Sequence, residues 1–167
     1  KGCSSMTSIS IPSSVSVLEE STFEGCSSLL EILIPSSIHT IQNSVFKGCT
    51  SLTKISIPSS LTSLSKSLFE DCTSLTEISI SSSIQAIEDD AFQGINILTI
   101  SGDIENIPNY SFKNCKSLTK IVFDSDKIVS IRSSAFEGCS LLKEITIPSS
   151  VTKIGFSAFS ECSSLTQ

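Results

Sequence analysis

The sequence predicts an α/β-type solenoid, in which short parallel strands form one wall of a stack of coils and short 3₁₀ or helical segments form the opposite wall. Two observations lead to this prediction. Cysteines recur every 23 residues over much of the chain, and phenylalanines recur with the same period. A fixed period of this length indicates a repeat architecture, because one such unit buries its apolar side only by stacking on its neighbours.

The repeated unit reads Cys-Ser-Ser-Leu-x-x-Ile-x-Ile-Pro-Ser-Ser-Val-x-x-Ile-x-x-x-Ala-Phe-x-Gly. Its cysteines are Cys3, Cys26, Cys49, Cys72, Cys115, Cys139 and Cys162. Its phenylalanines are Phe23, Phe46, Phe69, Phe92, Phe112, Phe136 and Phe159. Apolar residues that recur in this way predict continuous columns along the core of the stack.

Each part of the unit predicts one element. The Leu-x-x-Ile-x-Ile segment ends in alternating apolar and polar residues, which is the pattern of a half-buried strand. The Pro-Ser-Ser segment predicts a turn, because proline has no N–H group to continue a ladder. The later apolar residues are three to five positions apart, which predicts a short helical or 3₁₀ turn. Closing glycines such as Gly25 and Gly48 are interpreted as helix-terminating residues.

Two units depart from the regular length. After Gly94 the residues Cys-Ser-Ser are missing, and the pattern places Ile95 at the leucine position of the unit. One unit later, an extra residue falls in the predicted turn at 124–127. Because loops tolerate insertions and deletions, we expect both changes to lie in loops and the apolar columns to stay in register.

Residues 52–57, which read Leu-x-x-Ile-x-Ile, resemble the core motif L-x-x-L-x-L of leucine-rich repeats. The positions of Pro58, Phe69 and Cys72 are similar to those of the BspA-like subfamily. The resemblance covers residues 1–167, about seven units, and implies one array wound as a right-handed superhelix with a parallel sheet on its concave wall. The asparagine usual in these repeats is replaced by Ser14, Ser37, Ser60, Ser83, Asp103 and Ser150, where a side chain can bond backbone groups inside the turn.

The resemblance also implies a setting. Proteins similar to this one are surface antigens of mucosal bacteria and parasitic protists and are linked to adhesion. A cell-surface or extracellular location is therefore expected, with a protein or glycan ligand on a host cell or in the matrix. Because the chain begins and ends within a unit, we interpret it as a piece of a longer protein, whose uncapped ends could self-associate.

Charge and hydropathy exclude two classes of partner. The net charge is -6 and the pI is about 4.7, whereas nucleic-acid binding needs a basic stripe. The sequence has no run of apolar residues long enough for a membrane span. We therefore predict no nucleic-acid partner and no span in this chain.

The sequence offers little catalytic or metal-binding chemistry. Cysteines at one repeated position fit neither a disulfide framework nor a zinc site, which use paired, close spacings, so we interpret them as buried, reduced thiols. His39 is the one histidine, and a catalytic triad needs one convergent pocket rather than a repeated serine. Asp89-Asp90 and the turn at 124–126 are interpreted as solvated carboxylates rather than as a calcium site. No enzyme, metal site or cofactor is predicted.

The predicted sheet presents two exposed positions in each unit. The first runs Ser8, Glu31, Lys54, Glu77, Ile97, Lys120 and Glu144, and the second runs Ser10, Leu33, Ser56, Ser79, Thr99, Val122 and Thr146. Stacked units place the members of each row side by side. Glu31, Lys54 and Glu77 are therefore expected to pair across strands, as are Lys120 and Glu144.

Two interpretations of this face remain open. It is either a solvated sheet whose charge pairs fix the register, each worth about 0–1 kcal/mol, or a ligand-binding face with scattered apolar spots. The candidate residues of a ligand face are Glu31, Leu33, Lys54, Glu77, Ile97, Lys120, Val122 and Glu144. Asn109-Tyr110-Ser111 is the one glycosylation sequon, and it is expected on the convex side.

We thus predict a non-catalytic surface module that recognises host or extracellular macromolecules, as an adhesin or surface antigen does. The alternative is a structural role, in which the array is a stalk or a self-associating surface coat. A ligand that binds the monomer saturably would favour the first function, and association without any ligand would favour the second.

Overall fold

The computed structural model describes residues 2–166, which form a stack of seven coils with two short strands each. The strands are β1 (Ser8–Ser10), β2 (Val17–Leu18), β3 (Glu31–Leu33), β4 (Thr40–Ile41), β5 (Lys54–Ser56), β6 (Ser63–Leu64), β7 (Glu77–Ser79), β8 (Ala86–Ile87), β9 (Ile97–Ser101), β10 (Asn106–Ile107), β11 (Lys120–Asp124), β12 (Ser130–Ile131), β13 (Glu144–Ile145) and β14 (Lys153–Ile154). We call the wall of odd-numbered strands the front sheet and that of even-numbered strands the side sheet. A third wall, the turn wall, carries the phenylalanines and closes each coil.

The front strands follow the alternation that the sequence predicts. In β3 and β5 the central isoleucine is buried and both flanking side chains are exposed. The two longest strands, β9 and β11, belong to units that lack the Ile-Pro pair. Proline cannot donate to a ladder, so its absence permits a longer strand, but coil 4 also lacks it, with Ser81 after Ile80, and β7 still has only three residues.

Neighbouring coils pair in parallel, but neither sheet is continuous. The front sheet consists of a β1–β3 pair and a five-stranded sheet in the order β13-β11-β9-β7-β5. Between β3 and β5 only a long bond of 3.5 Å joins Thr53 N–H to the Leu30 carbonyl. The side sheet divides into β2–β4, β6–β8 and β10-β12-β14. Both sheets are therefore interrupted between coils 2 and 3, and the side sheet is interrupted again between coils 4 and 5.

The turn wall differs from the prediction, because residues 2–166 contain no helix. Two residues in every coil have positive φ, one two positions before the phenylalanine and one two positions after it. They are Ser21, Gly25, Ser44, Gly48, Ser67, Asp71, Asp90, Gly94, Tyr110, Asn114, Ser134, Gly138, Ser157 and Glu161. Left-handed residues at this spacing are incompatible with an α- or 3₁₀-helix. The α/β class and the helix-terminating role of the glycines were thus wrong, and the chain is an all-β solenoid.

Successive tight turns replace the predicted helical segment. In coil 1 the N–H groups of Thr22, Glu24 and Cys26 each bond the carbonyl three residues earlier. Ser21 and Gly25 occupy the third positions of the first and last of these turns, as the left-handed residue of a type II turn does. The N–H groups left over point to the next coil, and Phe23 N–H bonds the Val45 carbonyl at 3.0 Å.

The phenylalanine rings form one uninterrupted stack. Centroids of consecutive rings from Phe23 to Phe159 lie 5.0 to 5.8 Å apart, and their planes are within 18° of parallel. Phe123 replaces a strand isoleucine and packs edge-on against Phe136, with centroids 6.3 Å apart. The ring column predicted from the sequence is thus the centre of the core.

Four of the serines in place of the usual asparagine bond backbone carbonyls, but those of the preceding coil rather than those of their own turn. Ser37 Oγ donates to the Val15 carbonyl at 2.8 Å, and Ser83 Oγ donates to the Leu61 carbonyl at 2.6 Å. Asp103 instead accepts the Ser82 N–H at 2.9 Å. The column therefore fastens one coil to the next.

The cysteines form a second buried column. Cys26, Cys49, Cys72, Cys115 and Cys139 are buried, Cys162 is half-buried and Cys3 is exposed, and all seven thiols are free. Four thiols donate to the carbonyl of the phenylalanine one level below, as Cys72 Sγ does to Phe46 at 3.0 Å. Burial raises the pKa of the Cys49 and Cys115 thiols to about 12, so these thiols remain protonated at neutral pH.

The short coil 5 shifts the register of the front sheet. Ile95 N–H bonds the Phe92 carbonyl, which is the bond that the cysteine makes in the other coils, so Ile95 holds the cysteine position and not the predicted leucine position. As a result Glu77 pairs with Thr99 rather than with Ile97. A slip of two residues keeps every side chain on its own face of the sheet, whereas a slip of one residue would move every side chain to the opposite face.

The rest of the shortening is absorbed at the corner after β9. Gly102 has a φ of 97°, and a Cβ there would lie 2.4 Å from the Ile80 carbonyl oxygen. Only glycine allows this close approach of two backbones. The extra residue of the next coil lies in the loop after β11, as predicted.

The boundary between coils 4 and 5 is loosely bonded. β8 and β10 do not pair, and among residues 2–166 the N–H groups of Phe92 and Gly94 lack the bonds to the next coil that their counterparts make. The Gln93 Oε1 atom is buried there without a hydrogen-bond partner. We call this boundary the seam.

We expect Phe69→Ala to lower the free energy of unfolding by about 3–5 kcal/mol, because the ring is fully buried and leaves a cavity in the column. Denaturant unfolding monitored by circular dichroism measures the change. Phe156→Ala is the matched control, since that ring is 85% exposed. Equal effects of the two substitutions would contradict the buried column.

Ser60→Ala should lower the free energy of unfolding by about 1 kcal/mol, because the Ser60 hydroxyl donates to the Ile38 carbonyl at 2.5 Å across two coils. The neighbouring Ser59 is exposed, so Ser59→Ala is a control expected to change little. Denaturation midpoints of the two variants that coincide would show that the inter-coil bond contributes nothing.

Stability should fall as the pH rises above about 9. Thiols of the unfolded chain lose their protons near pH 9, whereas those of Cys49 and Cys115 keep theirs to about pH 12 in the folded chain. Ionisation therefore favours the unfolded chain in this window, by about 1.4 kcal/mol per pH unit for each thiol. Urea denaturation of the double variant Cys49→Ala/Cys115→Ala should show a shallower pH dependence, and an unchanged slope would refute the assignment.

Candidate binding surface

The candidate ligand-face residues lie on the front sheet, with their side chains on its outer surface. Glu31, Lys54, Lys120 and Glu144 are exposed, and Glu77 and Val122 are half-buried. Leu33 is 77% exposed and Ile97 is 44% exposed. Their strands hold these residues outward because the alternate residues, such as Ile32 and Leu98, fill the core.

The predicted row of residues is broken in the middle. Ile97 pairs with Lys120, as expected, but the register slip places Thr99 opposite Glu77. The front sheet therefore presents two shorter rows, offset by two residues at the seam. Val122 pairs with Thr99 and adds little exposed surface.

Two of the three predicted charge pairs form. Lys54 Nζ lies 2.5 Å from Glu77 Oε1, and Lys120 Nζ lies 3.2 Å from Glu144 Oε2. Glu31 makes no ion pair within 4.0 Å to Lys54, whose ammonium turns to Glu77 on the strand with which β5 is paired. The break between β3 and β5 thus leaves the Glu31 carboxylate available on the surface.

A concavity of about 940 Å³ lies on the front sheet of coils 1 to 3, over that break. Leu30, Leu33, Glu31 and Lys54 line it, together with the small residues of β1 and β5. Leu30 is 51% exposed and was not predicted. The sequence did distinguish Leu30, because Thr7 and Thr53 occupy the same position in the neighbouring coils and Leu30 is the apolar exception. The concavity therefore combines two exposed leucines with both signs of charge.

The turn wall carries further ion pairs that the sequence analysis missed. Lys47 Nζ lies 2.8 Å from Glu70, and Lys113 Nζ lies 2.9 Å from Glu137. Hydrogen bonding to Glu70 raises the pKa of Lys47. The sequence did indicate these pairs, because the lysine and the glutamate of each pair directly follow the repeated phenylalanine of their own coil. These pairs link neighbouring coils.

The remaining candidate residues are scattered over the solenoid. His39, Asp89 and Asp90 are exposed, and Asp90 holds one of the left-handed turn positions. Asn109 is exposed beside the side sheet, and its Oδ1 accepts the Ser133 N–H at 3.1 Å. The sequon serine, Ser111, is buried and donates to the Pro108 carbonyl at 2.6 Å. Nothing brings these residues together.

Two further features are absent from residues 2–166. No group of three or more His, Cys, Asp or Glu side chains is arranged to hold a metal ion. None of the elements is a helix with the length and apolarity needed to cross a membrane.

Solved structures similar to this chain are bacterial leucine-rich-repeat proteins. One from T. pallidum is 27% identical over 99% of this chain and 68% of its own, with a TM-score of 0.60. One from Eubacterium ventriosum is 26% identical over 98% of this chain and 44% of its own, with a TM-score of 0.72. A leucine-rich cell surface protein from Faecalibacterium prausnitzii is 27% identical over 97% of this chain and 47% of its own, with a TM-score of 0.60. The chain thus spans less than half the length of the last two.

Sequence comparison agrees with the structural one. No curated protein matches the chain significantly. The sequence model of the BspA type leucine rich repeat region matches residues 1–102 and 94–167, with six copies of the repeat. These matches cover the chain from end to end, and its coils carry the expected apolar columns. The chain therefore belongs to the BspA-type leucine-rich-repeat family.

Proposed function

We propose that this chain is a non-catalytic binding module of a cell-surface or secreted protein, and that the concavity on the front sheet of coils 1 to 3 receives a protein ligand. The observation that carries the proposal is the pair of exposed leucines, Leu30 and Leu33, that line this concavity. Exposed apolar patches on a soluble protein mark interaction sites when polar groups surround them.

The chemistry of the rim favours a protein over other ligands. Protein interfaces have an apolar centre and a polar rim, and Glu31 and Lys54 supply both charges beside the leucines. A surface that carries both signs discriminates between partners through complementary charges. Ser8, Ser10 and Ser56 keep the floor of the concavity low, so a partner's side chains can reach the leucines.

The proposed location rests on the family. The similar F. prausnitzii protein is described as a cell surface protein. Adhesion to a host cell or to its matrix fits such a location and would make the protein a surface antigen. A stalk or coat would need no such concavity, which is why we favour binding over the structural alternative.

We expect the full chain to bind saturably to at least one member of an array of matrix proteins and mucins, and Leu33→Ser to weaken that binding about tenfold or more. The reason is that a buried apolar anchor contributes most of the affinity of an interface. Surface plasmon resonance at two salt concentrations measures the change, and Lys54→Ala should alter mainly the salt dependence.

Leu141→Ser is the matched control, because Leu141 is 48% exposed but lies outside the concavity. It should leave the affinity unchanged. Equal losses from Leu33→Ser and Leu141→Ser would disprove the assigned surface. A chain that binds nothing and instead associates with itself as its concentration rises would favour the stalk or coat.

A further inference from the structure

We propose that a groove on the side sheet of coils 4 to 7 is a second binding site, whose ligand is an anionic glycan. Two adjoining hollows of about 460 Å³ and 340 Å³ form this groove. Asn106 and Arg132 line both hollows and join them. The groove is on a different wall from the front concavity, so the proposal does not depend on the protein-binding function.

The irregular coils create the groove. At the seam, β8 and β10 do not pair, and Gln85 and Pro108 border the opening that results. At the other end Gly155 lines the groove where the preceding coil has Arg132. A Cβ on Gly155 would lie 2.4 Å from the Ser133 backbone nitrogen. Coil 7 therefore packs tightly on coil 6 there, and the floor has no side chain.

The groove presents hydrogen-bond donors. A backbone N–H can only donate, so the bond from Ser133 N–H fixes the Asn109 amide with its oxygen toward the protein. Asn106 Oδ1 is likewise occupied, by the Ser130 hydroxyl at 2.6 Å. Both asparagines line the groove, and their NH₂ groups are left to donate to a ligand.

The charge of the groove is opposite to that of the chain. Arg132 is the only arginine in the sequence, and Lys153 lies one coil further along. Neither makes an ion pair within 4.0 Å in the described part of the chain. No carboxylate lines either hollow, although the chain has 17 acidic residues against 11 basic ones. The adjacent Glu105 is exposed and is not part of the lining. A ligand therefore needs negative charge.

Amides, hydroxyls and two cations together fit an acidic sugar chain. Arg132 can hold a carboxylate or sulfate with two parallel bonds, while the asparagines and Ser133 reach sugar hydroxyls. Neighbouring strands lie about 4.8 Å apart, so each successive sugar of an extended chain would contact one coil.

Other anionic polymers fit less well. A peptide binds a sheet most readily by adding a strand to an open edge, whereas the edge left open at the seam belongs to β10, which has only two residues, and β12 is already paired on both sides. A nucleic acid requires a stripe of many cations, and the net charge of -6 would repel it.

The test measures binding of the full chain to four polymers. They are hyaluronan, which carries only carboxylates, dextran sulfate, which carries only sulfates, neutral dextran, and poly-glutamate. We expect hyaluronan, dextran sulfate or both to bind, with an affinity that falls as salt is added, and dextran not to bind. Arg132→Gln should weaken binding about tenfold or more, and Arg132→Lys less, because lysine keeps the charge but loses the second bond.

Two further variants make the test specific. Asn109→Asp keeps an oxygen for the Ser133 N–H but replaces the free NH₂ group by negative charge, so the fold should persist while glycan binding is lost. Lys116→Gln removes one exposed charge outside the groove and should leave binding unchanged. Melting temperatures establish that each variant folds.

The proposal is overturned by any of four results. These are failure of both anionic glycans to bind the folded chain, equal binding of neutral dextran, equal effects of Arg132→Gln and Lys116→Gln, or poly-glutamate binding that matches the glycans in affinity and in its dependence on Arg132. The last result would assign the groove to an acidic peptide. Leu33→Ser should not affect glycan binding, which separates this site from the front concavity.

Discussion

The stacked phenylalanine column is the constraint on which the rest of this solenoid depends. Each ring lies between two left-handed residues, as Phe23 does between Ser21 and Gly25, and this geometry forces the chain to turn tightly on both sides of the ring. The backbone then returns to the front sheet at the same height in every coil. The rings remain 5.0 Å apart even between Phe92 and Phe112, where the sequence period shortens most. The column therefore sets the rise of the stack, and the sheets adjust to it.

Because the phenylalanine column stays continuous, the shortening of coil 5 is accommodated by changes in the surrounding walls. The front sheet slips by two residues, which preserves the burial of Ile78 and Ile100, and the corner at Gly102 tightens. The side sheet opens between β8 and β10, and the hydrogen bonds of the turn wall are lost at the same level. The core therefore tolerates a three-residue deletion whose effects fall on the surrounding walls.

The sequence was sufficient to predict the columns, the strands and the position of the inserted residue, because these follow from periods of two and of 23 residues. It was not sufficient for the turn wall, since glycine holds only some of the left-handed positions and Ser21 or Asp71 gives no comparable signal. Ile97 also matched the pattern beside Glu77 perfectly. The residue that pairs with Ile97 depends on how the three-residue deletion is divided between two corners of the coil, and the sequence pattern does not determine that division.

Recognition requires residues that the repeat does not supply. A serine that recurs in most coils, as at Ser37 and Ser60, bonds one coil to the next and cannot mark one place along the stack. The side chains that distinguish one place are the exceptions to their columns, as Leu33 is among serines and Arg132 is among residues of other types. Both exceptions lie where a sheet is interrupted, Leu33 beside the break between β3 and β5 and Arg132 beside the seam. In a solenoid whose regular coils supply stability, binding specificity is expected to concentrate where the regularity fails.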